Sequence, residues 1–113
     1  MTFDQVAACG LSLPNVELST KYDGSPVLKV HGSFMAGLAM HESAEPGTLV
    51  VRYGIGDRDR LMDDASETYY LTDYYRPYPL VLARLGMLRA DALRDLLSVS
   101  WQLAVEKTGK PPR

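Results

Sequence analysis

Five of the seven tyrosines fall between Tyr69 and Pro79, in the run Tyr-Tyr-Leu-Thr-Asp-Tyr-Tyr-Arg-Pro-Tyr-Pro. Phenolic rings beside a guanidinium can stack on planar groups, donate hydrogen bonds and contact phosphate. Two readings of the run stay open. In one, Tyr69 and Tyr75 lie on a sheet, pack under Trp101 and send their hydroxyls to water. In the other, Tyr74, Arg76 and Tyr78 stand out from a loop stiffened by Pro77 and Pro79, beside Lys29 and His31.

Other chemistry-bearing patterns do not assemble. The chain has no H-E-x-x-H, no paired C-x-x-C, no Walker loop and no nucleophile elbow. Gly54-x-Gly56 lacks the third glycine of a dinucleotide loop, Asp59 standing in its place, and reads as a turn. His31 and His41 have only Cys9 as a further ligand of similar kind, so they read as solvated or hydrogen-bonded side chains. Cys9, amid Val6, Ala7, Ala8 and Leu11, reads as a small buried hydrophobe. No catalytic residue, metal or cofactor is expected.

The elements that must position the tyrosine run follow from periodicity. Thr2 and Gln5 have capping-box spacing ahead of Phe3, Val6, Ala7, Gly10 and Leu11, which predicts a helix over 3–11. Short strands are predicted over 17–22, 27–31, 34–40, 48–53, 68–72 and 80–85. Gly32-Ser33 is the expected hairpin link, with Val27, Lys29 and His31 on one face of the first strand. The second strand is expected to alternate Phe34, Ala36, Leu38 and Met40 on its buried face. Asp57 is the expected cap of a short helix to about Asp64, with Leu61 and Met62 inward. The two prolines make the link into Leu80 a stiff, extended turn. Leu93, Leu96, Leu97, Ser100, Trp101 and Ala104 form a helical stripe over 90–106, ended by Gly109 and Pro111-Pro112 before a short basic tail. The order predicts an α+β two-layer sandwich, an antiparallel sheet with helices on one face, as a single domain over 1–113.

Twelve basic against fourteen acidic residues give a net charge of −2. Nucleic-acid binding then needs a local basic face, which Lys29, Arg52 and Arg84 can supply on the side of the sheet left uncovered. Asp57, Asp59, Asp63 and Asp64 concentrate acid elsewhere. No apolar run reaches the roughly 20 residues of a membrane span, and Met-Thr-Phe-Asp-Gln opens without a basic leader. The expectation is a cytoplasmic monomer with no membrane contact.

Leu13-Pro14 with Glu17, Ser25-Pro26 leading into Leu28-Lys29-Val30-x-Gly32, Thr72 to Pro79 before Val81-Leu82-x-Arg84-Leu85, and Leu93 to Ser100-Trp101 resemble, in order, the MmcQ/YjbR family. The resemblance implies a CyaY-like (frataxin) fold and a DNA-binding protein of the double-wing type, with two hairpins meeting the duplex. Tyr74 stands where that family often has His, and Pro77 where it has Gly, so an acid–base role for that His has no counterpart here. The first helix carries only Asp4 as an acid, so the carboxylate ridge of iron-binding frataxins is missing.

The leading expectation is therefore a non-enzymatic DNA-binding module of weak sequence specificity. Lys29, Arg52 and Arg76 would contact phosphate, and His31 and Tyr78 would stack or donate. The alternative is a small-molecule protein or minor enzyme, binding a nucleotide or carboxylate in a pocket of Lys29, Tyr75, Arg76 and Trp101. An adaptor would instead show an exposed apolar patch.

Overall fold

The structure, a computed structural model, describes residues 1–108. The basic tail and its stop signals Gly109 and Pro111-Pro112 lie outside the described residues. The elements run α1 (Phe3–Leu11), β1 (Val16–Thr20), β2 (Pro26–Val30), β3 (Ser33–Leu38), β4 (Thr48–Arg52), α2 (Ile55–Asp64), β5 (Tyr69–Tyr70), β6 (Leu80–Arg84) and α3 (Ala90–Thr108). The six strands form one antiparallel sheet in the order β1-β2-β3-β4-β6-β5. This is the α+β architecture expected, and the helices pack on one face of the sheet. No helix among the described residues is long and apolar enough to cross a membrane.

Local chemistry sets the boundaries. The Thr2 hydroxyl accepts from the Gln5 amide and the Gln5 side chain accepts from the Thr2 amide, so α1 begins with a complete capping box. α2 starts three residues earlier than a cap at Asp57 implies, with Gly54 as a cap that offers no side-chain hydrogen bond. The β2–β3 link is His31-Gly32, one residue earlier than expected. Both residues have positive φ (50° and 77°), the demand of a type I′ hairpin turn, and Val30 pairs directly with Ser33. Gly meets that demand freely. His31 takes a backbone region that a side chain disfavours.

One irregularity reorganises β3. Lys29 pairs with Phe34, but Leu28 pairs with Ala36, so Met35 is an extra residue in a bulge. A bulge resets which side chains face which side, because strand alternation has a period of two. Met35, Ala36 and Leu38 therefore face the helices, and Phe34 turns to the opposite side, against the expected alternation. α3 accommodates the bulge: Ser100, fully buried in the apolar stripe, donates to the Met35 carbonyl at 2.8 Å.

The principal core lies between sheet and helices, around the fully buried Leu28, Met35, Leu49, Val51, Val81 and Leu97. Each large aliphatic side chain removed from water contributes about 1.5–3 kcal/mol. Trp101 borders this core and its indole N–H donates to the Pro14 carbonyl at 2.9 Å, tying α3 to the segment after α1. The second face is not open either. A smaller core of Val50, Leu82 and Tyr75 lies there, flanked by Phe34, Tyr70, Leu71 and Leu80.

Candidate functional site

The lid of that second core is the tyrosine run. Only Tyr69 and Tyr70 pair as a strand, with Ala83 and Leu82. From Thr72 the chain coils instead of extending, because the amides of Tyr75 and Arg76 both donate to the Thr72 carbonyl and that of Tyr78 to the Tyr75 carbonyl. The coil turns Tyr75 down onto Val50 and Leu82 and leaves it 8% exposed. Burial pushes its phenol pKa up. Tyr75 thus caps the face opposite Trp101, and the expected packing of Tyr75 under Trp101 does not occur.

Pro77 and Pro79 have no amide to donate, so the carbonyls of the coil need another source of protons. Arg58 of α2 provides it. Its guanidinium, 5% exposed, donates to the carbonyls of Tyr78 (2.7 Å), Leu80 (3.1 Å) and Arg76 (2.6 Å). Sequence reasoning missed Arg58. The available signal was an arginine in a polar helix ahead of a segment with two prolines.

The other flank of the coil is fixed by His41. Its ring stacks on Tyr74 with centroids 3.5 Å apart and planes 8° from parallel, and Tyr75 meets both rings edge-on. The Ser43 amide donates to His41 Nδ1 (3.1 Å), which makes Nδ1 the acceptor nitrogen. The Ser43 and Thr72 hydroxyls lie 2.9 Å apart. Tyr74 and Tyr78, with ring centroids 6.4 Å apart, remain 49% and 51% exposed. Two half-exposed phenols are therefore held on a braced support.

Strand register gathers the other expected residues at one end of this face. Lys29 lies opposite Phe34 and Arg52 opposite Leu80, two residues beyond Tyr78. Their charges are not equally available. Arg52 Nε donates to the Phe34 carbonyl at 2.6 Å, and burial pulls its pKa down. Arg84 grips Glu45 through Nε and Nη2 (2.8–3.2 Å) and covers the Tyr70 ring at 4.2 Å. Its bonds hold the Glu45 carboxyl below the usual range. Arg52 and Arg84 therefore have their guanidinium donors engaged in bracing the fold, and the charge of Arg84 is paired with Glu45. Lys21, absent from the expected set, donates to the Leu38 carbonyl at 3.1 Å. Arg76 is exposed, with one loose ion pair to Asp73 at 3.9 Å. Among the described residues Lys29 has no hydrogen bond or ion pair. His31 sits in the turn, off the face, with Nε2 buried and unpartnered.

Tyr75 and Trp101 lie on opposite sides of the sheet, so the pocket of Lys29, Tyr75, Arg76 and Trp101 does not exist. A groove of about 350 Å³ does lie beside the His41–Tyr74 stack, bordered by Lys21, Asp23 and Tyr75. Among the described residues no three His, Cys, Asp or Glu side chains converge as for a metal ion.

A scan against protein-family models finds no match, and neither does a search of curated proteins. Comparison with solved structures finds the crystal structure of Deinococcus radiodurans protein DR2400, with a domain described as DUF419. The two superpose with a TM-score of 0.75 at 21% sequence identity, over 97% of this chain and 82% of the other. This chain has a DR2400-like fold. At that identity the likeness concerns the fold, and the DR2400-like sheet with helices on one side is what carries the braced tyrosine coil.

Proposed function

We propose that this chain is a non-enzymatic nucleic-acid-binding module of the MmcQ/YjbR type, with the coil at 72–79 as its contact surface and single-stranded DNA as its better substrate. The family part of this reading is supported by the ordered sequence resemblance together with the fold of DR2400, because DUF419 is also called MmcQ/YjbR-like. The observation that carries the binding part is the pair of half-exposed rings, Tyr74 and Tyr78, held rigid beside the exposed Arg76. Aromatic faces take unpaired bases irrespective of sequence, at about 1–3 kcal/mol per base. A base stacked inside a duplex is not presented to such a ring, which is why the unpaired strand is favoured.

Phosphate contact falls to Lys29 and Arg76. Two contacts give a slope of log K against log salt of about −1.8 for duplex and −1.4 for a single strand. Affinity is then weak, and its salt dependence shallower than a larger basic face would produce. Fluorescence anisotropy with labelled single-stranded and duplex oligonucleotides tests this. The expected result is saturable binding that favours the single strand and weakens about tenfold between 50 and 200 mM salt. No binding at roughly 100 μM protein in low salt would falsify the proposal.

The groove beside His41 and Tyr74 favours a second reading in which a free nucleotide stacks at the same rings. A mononucleotide that binds as tightly as an oligonucleotide selects that reading.

A further inference from the structure

On the helix side, two adjoining pockets of about 550 and 170 Å³ share Tyr53, Leu61 and Val99 and open between α2 and α3. The outer one is bordered by Asp57, Asp64 and Arg60, the inner one by Tyr69 and Asp95. Among the described residues none of the three carboxylates makes an ion pair or side-chain hydrogen bond to a cation, so the rim carries more negative than positive charge. Tyr69 is only 5% exposed, yet its hydroxyl has no hydrogen-bond partner among the described residues. The hydroxyl is the part of Tyr69 that reaches solvent, and with Tyr69 lining the inner pocket its oxygen is open to a donor placed there. Burial first, then Tyr53 and Asp95, push the Tyr69 pKa up, while burial and Asp57 do the same for Tyr53, which keeps both phenols neutral beside the acids.

Apolar walls, neutral aromatic rings and three carboxylates against the one guanidinium of Arg60 suit a cation with a hydrocarbon stem better than an anion. We propose that the α2–α3 groove binds a primary alkylammonium group, either a free aliphatic amine or the lysine side chain of a partner. Its stem lies against Leu61 and Val99. Its ammonium donates to the Tyr69 oxygen and meets the field of Asp95 and Asp57, with Tyr53 offering a ring face. This site lies on the opposite side of the sheet from the tyrosine coil and does not depend on the nucleic-acid reading.

Titration of pentylamine into isotopically labelled protein, followed by amide chemical shifts, tests the proposal, with pentanol as the neutral isostere and Nα-acetyl-lysine methylamide as the side-chain mimic. The expected result is saturable shifts confined to Tyr53, Leu61, Asp95 and Val99, with a dissociation constant on the order of 1 mM. Pentanol should bind at least about fivefold more weakly. Asp95→Asn and Tyr69→Phe, which remove a surface charge and an unpartnered hydroxyl, should each weaken pentylamine about two- to fivefold. Tighter binding of the lysine mimic identifies a partner side chain, and tighter binding of pentylamine a free amine. Equal binding of pentanol, unchanged affinity in both variants, or no saturable shift up to about 50 mM amine overturns the proposal.

Discussion

Replacing Arg58 by Met tests whether the tyrosine coil is held from below. The substitution keeps most of the side-chain length and removes three hydrogen bonds to the carbonyls of Arg76, Tyr78 and Leu80. A bond from a charged donor is worth about 1.5–3 kcal/mol net, and carbonyls left buried without partners add their desolvation cost. Restored apolar contact and the relief of burying a guanidinium without a carboxylate offset part of this. The expected loss is about 3–5 kcal/mol, a large share of the total for a domain of this size. In urea denaturation with an m-value of about 1–3 kcal/mol/M, a loss of 3 kcal/mol moves the midpoint down by about 1–3 M at unchanged slope. Arg58→Lys, with three donors on one atom in place of a planar fork, should recover only part of the loss. If the coil opens locally instead, the amides of Arg76 and Tyr78 will exchange faster while global stability falls less. A midpoint within about 0.3 M of the parent, with unchanged exchange at Arg76 and Tyr78, would refute the bracing argument.

Ser100→Ala strips the Met35 bulge of its donor, and a loss of about 1–2 kcal/mol in chemical denaturation is expected. His31→Asn should raise stability by about 0.5–1 kcal/mol in a thermal scan, since Asn-Gly suits a type I′ turn better and the unpartnered Nε2 disappears. DNA affinity should be unchanged, because His31 lies off the contact face. Arg76→Gln and Lys29→Gln should each flatten the salt slope by about 0.7–0.9, whereas Arg52→Gln should lower the melting temperature and leave the slope in place. The Glu45 carboxyl is depressed by its bonds to Arg84, so its contribution to stability is present at neutral pH. That contribution fades as pH falls below the ordinary glutamate value of about 4.3 and is gone below the lower folded value. Glu45→Gln should flatten that part of the acid limb in pH-dependent unfolding.

The parts of the fold that were legible are those with local causes. Capping chemistry at Thr2 and Gln5 and the stripe from Leu93 to Ala104 each lie within one element, so their residues reveal them directly. The hairpin turn was placed one residue late because Gly32 satisfies two turn types, and only pairing of Val30 with Ser33 selects between them. The Met35 bulge could not be read, since it exists only relative to β2 and is supported by Ser100, 65 residues away. The same distance problem hid the site. The exposure of Arg76 and Tyr78 was legible from their neighbouring prolines, but Arg52 and Arg84 look like free cations until their partners on other strands are known. His41 was weighed as a ligand, while its stacking on Tyr74 depends on how two loops meet.

The position of α3 in the chain has a consequence for synthesis. β1 to β4 form a meander of sequential neighbours and can pair as soon as they emerge. The helix-facing side chains Leu49 and Val51 of β4 stay uncovered until α3 has been made, whereas Leu28 already meets Gly10 of α1. At roughly 5–20 residues per second, the interval from the end of β4 to the end of α3 is about 3–11 s. During that time the nascent sheet presents an apolar surface to the ribosome's surroundings, and rare codons within β5, β6 or α3 would lengthen its exposure.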